Sequence, residues 1–133
     1  MTQVSRKIRI AAVALAAGLT LSACGGDDAG STIVVGSKDF TENILLGQML
    51  VVALEEAGIP VEDRTNLGGT VVNRDALLAG DINVYPEYNG TGWTVHLEQE
   101  DPSFDRDVLY NAVSEKDLAD NSIRWVGHSP FNN

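Results

Sequence analysis

Lys38 stands in Gly36-Ser37-Lys38, between a β-branched run and a stretch with the character of a helix start. An ammonium in that position can meet an anion, and a phosphate loop is the first chemistry to weigh. That motif needs a glycine, four residues and then Gly-Lys-Ser/Thr. Here the order is Gly-Ser-Lys, so the phosphate reading fails. Lys38 still lies where open α/β sheets bind ligands, outside the carboxyl end of a strand. A solvated loop lysine fits the spacing equally well. Gly68-Gly69-Thr70 is a second turn of this kind: glycines let a backbone come close to a ligand, and free amides at a helix start favour an anion. The densest cluster is Tyr85-Pro86-Glu87-Tyr88-Asn89-Gly90-Thr91-Gly92. Tyrosine faces hold a cation that has no proton to donate, although a turn with surface tyrosines has the same composition.

Enzyme chemistry finds little support. His96 and His128 lack a helical pair spacing, and no Asp or Glu pattern completes a metal site with them. There is no Gly-x-Ser-x-Gly elbow. Carboxylates are plentiful, but nothing in the sequence singles out a pair. The histidines read as surface residues. The expectation is a protein without catalysis, metal or cofactor. Nucleic acid is also an unsuitable partner. Nineteen Asp+Glu oppose nine Lys+Arg, for a net charge of −10. Three of the nine cations (Arg6, Lys7, Arg9) lie in a leader, leaving six against nineteen and a net of −13. Such a surface repels phosphate backbones.

The elements that must position these loops are those of a parallel sheet. Thr32 to Gly36 is a short β-branched run closed by glycine, a buried-strand signal. A helix follows, capped by Asp39 or Thr41 and running to about Ala57, where Gly58 and Pro60 stop it. Its apolar positions leave little polar face, so cover on more than one side is expected. Pro60 to Leu67 contains a second strand, Gly68-Gly69-Thr70 opens a second helix closed by Gly80, and Asp81 to Tyr85 alternates as a third strand ended by Pro86. The order β-α-β-α-β with short connections predicts an α/β fold with a parallel sheet. Further on, Thr91 to Glu98 and Asp105 to Asp117 read as helices, and Ile123 to Val126 as a strand or an extended exit. Hydrophobic residues at 44 % and charged residues at 21 % suit one globular domain.

The first residues read as a targeting segment. Arg6, Lys7 and Arg9 precede an apolar run of 12 residues from Ile10 to Leu21, shorter than the roughly 20 that span a bilayer. Leu21-Ser22-Ala23-Cys24 then resembles a bacterial lipobox, in which the cysteine is diacylated and becomes the new N-terminus. Two acyl chains give stable anchoring. The predicted organisation is a signal peptide over 1–23, a flexible tether over 24–31 and a folded unit over 32–133. Cys24 is the sole cysteine, so no disulfide forms within the chain.

Gly36-Ser37-Lys38-Asp39-Phe40-Thr41-Glu42, Asn66-Leu67-Gly68-Gly69-Thr70 and Tyr85-Pro86-Glu87-Tyr88-Asn89-Gly90-Thr91-Gly92 together resemble the substrate-binding proteins of osmoprotectant ABC transporters, the glycine betaine, choline and carnitine binding lipoproteins. The resemblance runs from about Ile33 to Asn133. It implies a lobe of a two-lobed, periplasmic-binding-protein-like (type II) clamp, with a small quaternary ammonium ligand between lobes. It also implies permease and ATPase partners, and a lipid anchor on the outer face of the cytoplasmic membrane or in the periplasm. By motif match, Lys38 faces the ligand carboxylate, Tyr88 forms one wall of an aromatic cage, Thr91 hydrogen-bonds the ligand, and Thr70 is a further pocket residue. Asn43, Asn83 and Asn89 depart from the family's usual residues. Asn43 and Asn89 leave the choice of betaine open, with zwitterions such as ergothioneine included; Asn83 is expected to stand clear of the pocket. A two-lobed clamp needs about twice this length, so the resemblance implies most of the first lobe, cut near the hinge, with the second lobe missing. A truncated envelope lipoprotein with a structural or interaction role is the alternative.

Overall fold

The computed structural model of the protein describes residues 31–129, so the leader, Cys24 and nearly all of the tether lie outside the described residues. Strand β1 (Ile33–Lys38) pairs in parallel with β2 (Val61–Gly68), Ile33 opposite Val61 through Gly36 opposite Arg64, and then Lys38 opposite Gly68. The irregular register is absorbed at Asn66, whose φ of 60° is left-handed. Its amide donates to Ser37 Oγ at 2.7 Å, replacing a ladder bond with a side-chain one.

Helix α1 (Thr41–Glu56) packs on this pair through Asn43, Gly47 and Val51. Gly47 permits the close approach, because a Cβ there would lie 2.8 Å from Thr65 Cγ2 and 3.0 Å from Ser37 Cβ. Neither Asp39 nor Thr41 caps the helix. Phe40 is the N-cap and makes no side-chain cap bond. Asn43, three residues in, instead reaches back to accept the Lys38 amide at 2.7 Å. The expected cover on more than one side is also absent among the described residues: Leu45, Met49 and Val52 remain 54–59 % exposed.

Helix α2 (Thr70–Ala79) ends at Gly80 in the left-handed conformation (φ 79°), as glycine C-caps do. The predicted third strand shrinks to one parallel bridge, Val84 to Val35 on the edge of β1 away from β2. Two features shorten it. Asn83 uses its side-chain oxygen to take the Val34 amide (2.8 Å), and Pro86 has no amide to extend a ladder. Ile82 still enters the core at 1 % exposure. The β-α-β-α order thus holds, with an extended segment in place of a full strand.

A short helix, α3 (Asn89–Thr91), passes into one π-helical turn over Gly92–His96. Helix α4 (Arg106–Asn121) is capped by Asp105, which accepts from the amides of Asp107 and Val108. No strand forms at Ile123–Val126. Residues 122–129 take up no regular structure, opening on a left-handed Ser122 (φ 60°), and Trp125 settles against Gly92, where a Cβ would stand 2.7 Å from its ring. None of the described helices is long and apolar enough to cross a membrane.

The buried set is unusually polar. Beside Val35, Val51, Ile82, Leu97 and Val113 it holds Ser37, Lys38, Asn43, Asn73, Arg74 and Asp117. Buried charges survive only when paired, and both cations here are. Arg74 of α2 makes two bonds to Asp117 of α4, at 2.9 and 2.5 Å, and Asp117 also accepts from Trp125 Nε1 (2.8 Å) and Asn121 (2.9 Å). Burial works against the Asp117 carboxylate, but the bonds from Arg74, Trp125 and Asn121 outweigh it and hold its pKa below the usual range. Arg74 in turn is held above its ordinary value, chiefly by the bond to Asp117.

Candidate functional site

The carboxyl ends of the parallel segments carry the loops singled out in the sequence. Lys38 is the last residue of β1, Gly68, its ladder partner, the last of β2, and the Val84 segment leads into Tyr85–Tyr88 at the same end. Asn43 ties two of these loops together: its Oδ1 takes the Lys38 amide, and its Nδ2 donates to Pro86 O at 2.9 Å. An asparagine buried to 0 % exposure is satisfied here by joining the first and third motifs.

Lys38 is not a solvated loop lysine. Its side chain is 3 % exposed and its Nζ meets Glu87 Oε1 at 2.5 Å. The same oxygen accepts the Tyr88 amide at 2.7 Å. The other, Oε2, faces His96 Nε2 at 2.7 Å and accepts the Tyr85 hydroxyl at 3.1 Å. Tyr85 and His96 lie 3.3 Å apart, closing a ring of polar contacts. Burial pushes the Glu87 carboxyl up, but the hydrogen bonds from His96, Lys38 and the Tyr88 amide prevail and keep its pKa below the usual range. Burial, followed by the Glu87 charge, drives the Tyr85 phenol far above its ordinary value, so it stays protonated and can donate to Glu87.

Above this cluster lies the ring of Tyr88. The Lys38 ammonium sits 5.1 Å from the ring centroid, within cation–π range. Phe40 stacks at 6.0 Å between centroids and 26° between planes. The Tyr88 hydroxyl donates to Glu42 Oε1 at 2.9 Å, fixing the ring over the start of α1. Thr91 ends α3 three residues later and is partly buried.

Of the four expected pocket residues, Lys38 and Tyr88 are in direct contact and Thr91 is near them in sequence. Thr70 opens α2 two residues beyond Gly68, at the same end of the sheet but with no bond to the other three. Two residues escaped the sequence reading. Glu87 is one carboxylate among nineteen, and only the fold reveals that it gathers four donors. His96, expected at the surface, has a side chain 3 % exposed, because the π turn directs it inward onto Glu87. His128 is the more open, stacked on Tyr110 at 4.3 Å between centroids with a side chain 33 % exposed. Among the described residues, no group of three or more His, Cys, Asp or Glu side chains is arranged to hold a metal ion.

Residues 31–133 match the family described as the substrate-binding domain of ABC-type glycine betaine transport systems. The chain is 35 % identical over 106 residues to the glycine betaine-binding protein YehZ of Escherichia coli (strain K12), covering 79 % of this chain and 35 % of that one. It is 31 % identical over 102 residues to the ergothioneine transport permease/ergothioneine binding protein EgtU of Helicobacter pylori (strain G27), covering 76 % of this chain and 18 % of that one. The solved structure of apo YehZ from Escherichia coli superposes with a TM-score of 0.73 at 34 % identity, over 77 % of this chain and 37 % of that one. The chain thus spans about a third of YehZ and less of EgtU.

Proposed function

Because the chain belongs to the family of substrate-binding domains of ABC-type glycine betaine transport systems, we propose that it supplies one side of a site for a quaternary ammonium solute such as glycine betaine, choline, carnitine or a related zwitterion. It delivers that solute to permease and ATPase subunits and performs no chemistry itself. One observation carries the reading: at the carboxyl end of the sheet, the Tyr88 ring already has an ammonium, that of Lys38, against it at 5.1 Å. A quaternary head cannot donate a hydrogen bond, so an aromatic face is what it can use. Thr91 and Thr70 supply hydroxyls at the same end of the sheet. Lys38 meets the carboxylate of a betaine when its Nζ turns from Glu87 or is shared with it.

One tyrosine gives a weak site. A single exposed cation–π contact is worth roughly 0.5–1 kcal/mol, far from the roughly 8 kcal/mol of a micromolar complex. Binding by the chain alone is therefore expected to be no tighter than millimolar, where nuclear magnetic resonance (NMR) titration can follow it. Tyr88→Ala should abolish the response to choline and to glycine betaine. Tyr88→Phe should retain it, since the ring face stays and only the hydroxyl bond to Glu42 is lost. Retained binding in Tyr88→Ala would remove the ring from the site.

The same reading makes Cys24 the lipidated residue, anchoring the protein to the outer face of the cytoplasmic membrane or in the periplasm. What supports it is the basic, apolar and small-residue order before Cys24 and the glycine-rich tether after it. Cys24→Ser is expected to move the protein from the membrane to the soluble fraction, or to leave it unprocessed. Unchanged fractionation and mass would contradict the anchor.

A further inference from the structure

We propose that Glu87 is the positioning and selectivity-determining residue of this corner: its buried carboxylate cancels the Lys38 charge beside the Tyr88 ring, so that a second cation can settle there, and it holds Tyr88 in place through the backbone. The selectivity part rests on the quaternary ammonium reading above; the positioning part does not. The difficulty it resolves is electrostatic. A ligand head that approaches the Tyr88 ring approaches the Lys38 ammonium as well, because that ammonium lies 5.1 Å from the ring centroid. Two like charges at such separations repel appreciably even in a partly aqueous setting. An uncompensated lysine would make the corner select anions.

Glu87 removes that obstacle by geometry. Its side chain is 7 % exposed, and one oxygen binds both Lys38 Nζ and the Tyr88 amide. The ammonium is thereby drawn under the ring and paired. The other oxygen is taken by His96 and Tyr85, which leaves the carboxylate little freedom to turn away. The remaining nearby charges do not alter the balance: Arg74 and Asp117 neutralise each other, and Glu42, on the Tyr88 hydroxyl, favours a cation. Lys38 and Glu87 themselves sum to zero.

The test uses Glu87→Gln, which keeps the shape and removes the charge, and Glu87→Ala, which removes both. Tetramethylammonium and glycine betaine are titrated into each protein while the Tyr88 and Thr91 amide signals are followed. Glu87→Gln should bind tetramethylammonium about threefold to tenfold more weakly than the parent. Glycine betaine should lose less, because its carboxylate can pair with the released Lys38. Equal losses for the two probes, or none, would overturn the selectivity role and leave the quaternary ammonium reading standing. In Glu87→Ala without ligand, hydrogen exchange at the Tyr88 amide and acetylation of Lys38 should both rise about tenfold or more, with a folded spectrum confirmed. Unchanged exchange and labelling would overturn the positioning role. If the parent shows no Tyr88 response to either probe, the quaternary ammonium reading and the selectivity role fall together, and the ligand-free comparison still decides the positioning role.

Discussion

Asp117→Ala should cost about 3–5 kcal/mol of folding free energy, the range found when one partner of a buried ion pair is removed. The reason is what the substitution leaves behind. Arg74 stays buried with two bonds lost, and the Trp125 indole and the Asn121 amide lose their acceptor at the same time. This pair joins α2 to α4 by charge, and Trp125 in turn covers Gly92 at the start of the π turn. A domain of this size has roughly 5–15 kcal/mol of stability, so the loss is between about a fifth and all of it. Urea unfolding followed by tryptophan fluorescence measures the loss. Replacing both partners by apolar residues of similar volume, Arg74→Met with Asp117→Leu, should recover much of it. A loss under about 1 kcal/mol in Asp117→Ala would mean that the pair behaves as a solvated surface bridge.

Lys38→Met should be comparably damaging at neutral pH, about 3–5 kcal/mol, and its pH dependence carries a distinctive sign. In the parent protein the Glu87 and Asp117 pKa values are both held below the usual carboxylate range. The folded state then binds fewer protons than the unfolded one in the acid range. Their stabilisation is complete above the unfolded carboxylate value of about 4 and is lost as pH falls through the lower folded values. Without Lys38, Glu87 keeps the bonds from His96 and the Tyr88 amide but loses the hydrogen bond and charge of the ammonium, so its pKa rises and protonating the cluster relieves an unpaired charge. Stability of Lys38→Met relative to the parent should therefore improve as pH falls from about 7.5 towards 5, narrowing the gap between the two. Unfolding midpoints at the two pH values measure this. A gap that stays constant would show that Glu87 does not depend on Lys38 for its charge.

Much of the framework was legible in the sequence because local rules dictate it. Gly58 and Gly80 end α1 and α2, Asp105 caps α4, and the β-branched run after Thr32 makes β1. Two expectations from local chemistry lost to longer-range bonds, and a third, of cover over α1, failed for want of a covering element. The cap of α1 went to neither Asp39 nor Thr41 because Asn43 had a better use, clasping Lys38 and Pro86. The third strand was cut to a bridge because Asn83 spent its side chain on Val34. Leu45, Met49 and Val52 read as covered, yet no described element reaches them. The candidate site was legible in part. Lys38, Tyr88 and Thr91 were singled out by their match to the family motifs, and the fold brings Lys38 and Tyr88 together at the ends of the strands. Glu87 and His96 were not found, since nothing local marks a carboxylate that will be buried, and a π turn that directs a histidine inward has no signature in hydrophobic spacing.

The central claim, that a quaternary ammonium head settles at the Tyr88 corner, is tested most directly by titrating the isotope-labelled protein with glycine betaine to high millimolar concentration. The account predicts saturable amide shifts centred on Lys38, Tyr88 and Thr91, with ring-proton shifts at Tyr88 and a millimolar dissociation constant. Shifts that fail to saturate, or that centre on residues away from these three, would contradict it.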